Sequence, residues 1–230
     1  MAREQLESWE SSDYVAEWVG DDVLADMLDL PRKISAALVG DSGLRVTHVI
    51  DLGSGHGPYL ELFLRTFPDA RGTWVDSSPA MEEHARERLA AYSDRVGYVN
   101  ADVERLDGAE LEPAEVVVTS RVLHHFSPAS LQRVYRAARE LLGDEGFFFN
   151  LDHVGAGGDW EKRYRRIRQQ FTGARKKPLA PHRHDYPLAA VEDHLAWMAL
   201  AGFETADVPW RTFYTALLAA RVVVPGPSTR

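Results

Sequence analysis

The chain is expected to fold as an α/β domain around a mostly parallel sheet of seven strands, the last of them antiparallel. Three observations predict this. Short β-branched runs alternate with helical stretches from about residue 44 to residue 151, a glycine-rich bend joins the first strand to the helix after it, and two strand-like runs with a short connection lie near the end. Strands alternating with helices imply a parallel sheet with right-handed crossovers, whereas a short link between consecutive strands calls for an antiparallel hairpin.

The elements follow in order. Residues 1–40 are expected to form a helical cover, since 5–40 have helical character. Arg45–Ile50 is the first strand, and Tyr59–Phe67 is a helix ended before Pro68. Gly72–Val75 is the second strand; Ser78 as N-cap and Pro79 in the first turn then open a helix to Tyr92. Val96–Val99 is the third strand. Glu115–Thr119 is the fourth, dense enough in valine to be buried on both faces. Ser127 and Pro128 repeat the cap-plus-proline signal for a helix through Leu142, Gly143–Gly146 is a turn, and Phe147–Leu151 is the fifth strand. Leu188–Ala201 is a helix stopped by Gly202, followed by strands Phe203–Val208 and Phe213–Val224 on either side of Pro209-Trp210-Arg211. The main body is thus 41–224, with 152–187 as a lid insertion and 225–230 as a tail. Cover and lid can roof the carboxyl ends of the strands, where open α/β sheets place their ligands.

Composition narrows the function. With 230 residues, 45% of them hydrophobic, one large core is attainable without staples. The absence of cysteine excludes disulfides and cysteine-held metals. Glu4, Glu7 and Glu10 interrupt the start of the chain, which does not resemble a signal peptide, and no run approaches the roughly 18 apolar residues of a membrane span. A cytoplasmic protein is expected. A net charge of −9 disfavours broad nucleic-acid binding, which draws its affinity from neutralising phosphates.

The most informative segment is Asp51-Leu-Gly-Ser-Gly-His-Gly57, directly after a strand and opening a helix. Gly53 and Gly55 permit a tight turn and close approach of a ligand to bare backbone, and Gly57 lets the helix pack near the strand. The spacing is not the G-x-G-x-x-G of dinucleotide sites, because Pro58 takes the sixth position. Asp51 would repel a pyrophosphate but suits a cationic group such as an amino acid's ammonium. That argues against a nicotinamide-dependent oxidoreductase, and the missing Gly-Lys-Ser/Thr argues against a nucleoside triphosphate loop.

Asp51-x-Gly53-x-Gly55-x-Gly57 resembles the first motif of class I S-adenosylmethionine-dependent methyltransferases. Val75-Asp76-Ser77-Ser78-Pro79-Ala80-Met81 is similar to that family's acidic ribose-binding residue with its Ser-Pro-x-Met. Asn100-Ala-Asp102-Val103 resembles the third motif, Val117 to Phe126 the fourth, and the closing hairpin the family's reversed seventh strand. The resemblance spans about Val46 to Ala220 and implies a Rossmann-like fold with S-adenosyl-L-methionine as cofactor. It places the glycine bend (Asp51, Gly53, Ser54, Gly55, Gly57) around the amino-acid end, and Asp76 with Ser77 at the ribose. Met81, Asp102 and Val103 would meet adenine, and Ser120 would line the cofactor at the end of the fourth strand. No metal is needed, since methyl transfer asks chiefly for alignment of nucleophile, carbon and sulfur.

The acceptor is less legible. His125 and His153 lie at expected strand ends and are candidate bases. Arg121 is a candidate clamp for a carboxylate of substrate or cofactor, or one half of a surface ion pair. Tyr14 and Trp18 are candidate pocket walls or core aromatics. In the basic stretch from Trp160 to Arg168, the residues Trp160, Tyr164, Ile167 and Phe171 share one helical face that would pack on the body. The arginines, Arg168 among them, would then form a solvated face, a lid for an anionic substrate or a nucleic-acid patch, with Tyr164 and Arg168 as candidate substrate contacts. The reading that results is methyl transfer to an O or N atom of a small molecule. A cofactor-binding subunit serving a catalytic partner, and an RNA-directed methyltransferase, stay open beside it; the oligomeric state is not legible.

Overall fold

A computed structural model describes residues 11, 15–16, 25–106, 109–172 and 186–223. Seven strands form one sheet: β1 (His48–Leu52), β2 (Arg71–Asp76), β3 (Val96–Asn100), β4 (Ala114–Ser120), β5 (Leu142–His153), β6 (Thr205–Thr212) and β7 (Thr215–Val222). Their order is β3-β2-β1-β4-β5-β7-β6. β1 to β5 run parallel, and β7 pairs antiparallel with both β5 and β6. The described α-helices are α1 (Ala25–Asp41), α2 (Pro58–Thr66), α3 (Pro79–Arg88), α4 (Pro128–Leu141), α5 (Trp160–Thr172) and α6 (Val191–Leu200). Among the described residues no helix is long and apolar enough to cross a membrane.

The period of two along a strand divides the core into two layers. Val116 and Val118 of β4 join Phe63 of α2, Ala85 of α3 and Val39 of α1 on one face. Val117, between them, joins Tyr135 and Ala138 of α4 and Met198 of α6 on the other. The caps anticipated from sequence form: Ser78 Oγ accepts from the Met81 N–H at 3.2 Å, and Ser127 Oγ accepts from the Ser130 N–H at 3.1 Å.

Two boundaries differ from expectation for backbone reasons. Gly143–Gly146 is not a free turn. β5 already pairs at Leu142 with Ala114, and the register shifts so that Val116 next faces Phe147, folding the intervening residues into an irregularity of the strand. A Cβ on Gly146 would come within 2.7 Å of the Glu115 carbonyl oxygen, so only glycine allows that approach. Pro209-Trp210-Arg211 likewise lies inside β6 and does not separate two strands. The register to β7 slips between Asp207 and Trp210, which accommodates a residue without an N–H on an edge strand. The hairpin turns instead at Phe213, whose φ is 57°.

Candidate active site

The bend after β1 lies at the carboxyl edge of the sheet, between β2 and β4. Gly53, Gly55 and Gly57 all have left-handed φ, at 69°, 56° and 84°. Gly53 is closely covered, because an added Cβ would meet Val122 Cγ2 at 2.4 Å. Around Gly55 the nearest atom to such a Cβ is Met81 Sδ at 3.8 Å. The bend is thus sealed toward β4 at Gly53 and open beside Met81 at Gly55.

β2 holds the open part from two sides. The Asp76 carboxylate accepts from the Gly55 N–H at 2.9 Å and from the Ser78 N–H at 3.0 Å, while Trp74 Nε1 donates to the Gly55 carbonyl at 2.7 Å. Burial lifts the Asp76 carboxyl, against the pull of these backbone donors. Trp74 was not singled out by sequence. Its place on β2 opposite Asp51, in the register that continues to Leu52 and Val75, is the only signal that marks it.

Asp51 is almost wholly buried. Its Oδ2 accepts from Ser54 Oγ at 2.7 Å, whereas Oδ1 is buried without a hydrogen-bond partner. Burial raises its carboxyl to about 7, against the opposing pull of Ser54 and the Arg32 guanidinium. Ser120 Oγ, at the end of β4, is also buried without a partner. A cation near Asp51 and a polar group near Ser120 would complete these atoms, so the residues present fit the polar cofactor anticipated above. Asp102 caps a short 3-10 turn by accepting from the Glu104 N–H at 2.9 Å, with Val103 buried beside it. Met81 is buried and Ser77 is exposed.

Just beyond Val122, which covers Gly53, is a histidine cluster. The 3-10 turn Leu123–His125 follows β4, entered through Arg121 at φ 61°. His124 Nδ1 bonds Asp152 Oδ1 at 2.5 Å, and the His124 N–H donates to Asp152 Oδ2 at 3.0 Å. Burial alone would raise the Asp152 carboxyl, but the His124 charge and hydrogen bonds outweigh it and hold the group below its ordinary value. The His125 ring lies 4.0 Å from that of His124, and the His153 ring 4.9 Å from it on the other side. His153 Nδ1 meets Thr215 Oγ1 at 3.1 Å. Both expected histidines therefore belong to the cluster. The member with a buried carboxylate partner is His124, which sequence reasoning passed over because two adjacent histidines are indistinguishable until the turn is known.

The basic helix α5 docks differently from expectation. Trp160 and Ile167, assigned to the packed face, are exposed. Instead Tyr164 lies 5.8 Å from Phe213, while Arg165 and Arg168 lie over the Tyr214 ring at 5.2 and 4.9 Å. Arg168 also donates to the Tyr214 hydroxyl. Tyr214 packs edge-on against His153 at 5.1 Å, so the arginine side of α5 reaches the histidine cluster through one ring. Tyr14, Trp18 and the basic and histidine residues at 175–184 lie outside the described residues, as does the side chain of Phe171.

Comparisons agree with this geometry. A family profile described as "Methyltransferase domain" matches residues 49–146. Trans-aconitate 2-methyltransferase of Methylobacterium nodulans is 28% identical over 176 residues, covering 74% of this chain and 62% of that protein. An O-methyltransferase family protein from Burkholderia thailandensis superposes with a TM-score of 0.73 at 18% identity, covering 97% of this chain and 64% of its own. Human N-acetylserotonin methyltransferase, solved in complex with SAM, superposes at 0.66 and 13% identity over 94% of this chain and 57% of its own. The chain thus spans less than two thirds of each of these relatives. The bend of Asp51 to Gly57, the β2 carboxylate and the reversed β7 are all in place, and over the matched residues 49–146 the chain is similar to methyltransferases that use S-adenosylmethionine.

Proposed function

We propose that the protein transfers a methyl group from S-adenosylmethionine to a hydroxyl oxygen of a small acceptor that carries an anionic group, with His124 as the base. The observation that carries this reading is the His124–Asp152 pair beside the glycine bend. A carboxylate on Nδ1 fixes the ring's tautomer with its proton on Nδ1, which puts the basic lone pair on Nε2. Asp51 holds a cationic group, Asp76 accepts from hydroxyls with the capacity its oxygens retain beyond the two backbone bonds, and Met81 packs an apolar ring system. The bound cofactor supplies a methyl on sulfonium, ready for in-line displacement. His125 and His153 line the acceptor side, and Arg168, over the Tyr214 ring, favours an anionic acceptor, while Arg165 beside it is paired with Glu161 at 2.7 Å.

Calorimetry with S-adenosylhomocysteine tests the first half, and absence of binding refutes it. Incubating a metabolite extract with methyl-labelled cofactor tests the second. A labelled O-methyl product that carries a carboxylate or phosphate is expected, and labelling confined to RNA or protein overturns the small-molecule reading.

A further inference from the structure

The turn between β6 and β7 carries an aromatic residue in the left-handed region. Phe213 has φ 57°, a conformation that is strained for a bulky side chain and persists only where its surroundings hold it. Its ring lies 5.8 Å from that of Tyr164 on α5, and the residue after it, Tyr214, is buried. Arg168 of α5 lies over the Tyr214 ring, 4.9 Å from guanidinium carbon to ring centre, and donates to the Tyr214 hydroxyl. His153 packs edge-on against the same ring at 5.1 Å. Thr215 brings its Oγ1 to 3.1 Å from His153 Nδ1, and the Tyr214 carbonyl accepts from the Val154 N–H at 2.8 Å. Two consecutive hairpin residues thus fix His153, and the first of them also fixes an arginine. Arg165 shares the ring at 5.2 Å, but its Nε and Nη2 are directed to Glu161 Oε1 at 3.1 and 2.7 Å. For Arg168 the ring face sets the height of the guanidinium and the hydroxyl sets its direction.

We propose that Tyr214 sets the acceptor specificity: it holds Arg168 one ring away from His153, so the site takes a small hydroxy acid whose anion meets Arg168 while its hydroxyl reaches His124. This rests on the methyltransferase reading above and adds to it the residue that selects the acceptor. The guanidinium is a planar fork suited to carboxylate or phosphate oxygens. From Arg168 to Tyr214, on to His153 and on to His124, the steps are 4.9, 5.1 and 4.9 Å. Together they bound the distance from Arg168 to His124, a span that a single ring or short chain bearing both groups can bridge.

The experiment incubates a metabolite extract with methyl-labelled S-adenosylmethionine and wild type, Tyr214→Phe or Arg168→Gln, and sorts labelled products by charge. Calorimetry with S-adenosylhomocysteine runs beside it. Tyr214→Phe keeps the ring and removes the hydroxyl. Labelling of anionic products is expected to fall about tenfold, the scale of a lost hydrogen bond to a charged group, while neutral products keep their label and S-adenosylhomocysteine affinity stays within about twofold. Arg168→Gln should fall at least as far. Tyr214→Phe removes a single oxygen and carries the test if Arg168→Gln does not fold. An unchanged product set in both variants overturns the assignment. So does a parallel loss of all labelling and of S-adenosylhomocysteine affinity, which marks a merely structural residue. If wild type does not bind S-adenosylhomocysteine, the methyltransferase reading itself has failed and takes this assignment with it. If wild type binds it and labels products without dependence on Tyr214, that reading survives and the assignment falls alone.

Discussion

Replacing Gly53 and Gly55 separately by alanine should divide stability from ligand binding within one bend. At Gly53 two costs add. A left-handed φ in an L-residue costs roughly 1–2 kcal/mol. The new Cβ would also lie 2.4 Å from Val122 Cγ2 and 3.0 Å from its Cγ1, an overlap of the kind that costs about 1–3 kcal/mol. At about 2–4 °C per kcal/mol for a domain of this size, Gly53→Ala should lower the melting temperature by roughly 4–20 °C. Gly55→Ala carries the conformational cost alone, because its Cβ would find only Met81 Sδ at 3.8 Å. A fall of roughly 2–8 °C is expected there. That methyl, however, occupies the space beside the backbone that a ligand must approach, and affinity for S-adenosylhomocysteine should drop about tenfold or more. Scanning calorimetry with and without the ligand reads both quantities. Adding Val122→Ala should return part of the loss in Gly53→Ala and none of the affinity in Gly55→Ala. Equal melting losses at the two positions, or wild-type affinity in Gly55→Ala, would refute the division of the bend into a sealed side and an open side.

Further outcomes follow from the charges. With the Asp51 carboxyl raised to about 7, a ligand's ammonium should favour its ionised form. Affinity for S-adenosylhomocysteine should then rise as pH increases toward about 7 and level off above it, with proton release visible in buffers of different ionisation enthalpy; Asp51→Asn should flatten the profile. His194 is buried, bonded through Nδ1 to the Tyr135 hydroxyl at 2.6 Å, and burial lowers its pKa to about 4. Between about 6.5 and 4 the unfolded chain takes up a proton that the folded chain refuses, so stability present at neutral pH is lost as pH falls through that window. The loss is about 3 kcal/mol at full extent, and urea unfolding of His194→Gln should show a shallower decline than wild type between pH 7.5 and 4.5. His124→Gln should reduce turnover by about a hundredfold or more with little change in cofactor affinity. Asp152→Asn should do nearly as much by releasing the ring, whereas an unchanged kcat in both would remove His124 as the base.

Much of this architecture can be read from residue pattern, because the physics is local. Valine density predicted the buried β4, Ser78-Pro79 and Ser127-Pro128 predicted helix starts that formed at those residues, and Asp51 with Gly53, Gly55 and Gly57 predicted the bend. What eluded the pattern depends on contacts distant in sequence. A proline between two apolar runs suggests a break unless the strand is known to lie at an edge, where Pro209 is tolerated. Of the α5 face chosen by apolar spacing, Tyr164 packs on Phe213 while Trp160 and Ile167 stay exposed, and Tyr214 of the β6–β7 turn instead lies under Arg165 and Arg168. The pairing of His124 with Asp152 joins residues 28 positions apart.

The grip of β2 on Gly55 has a kinetic corollary. One strand supplies both the acceptor for that residue's amide and the donor for its carbonyl, so the loop acquires its shape as the sheet assembles and not when a guest arrives. A receptor already in its bound form spends little free energy on rearrangement. Capture of the adenosyl moiety should then be fast and single-phase, limited by diffusion through whatever covers the mouth, and loosening Trp74 or Asp76 should slow arrival as well as hasten departure.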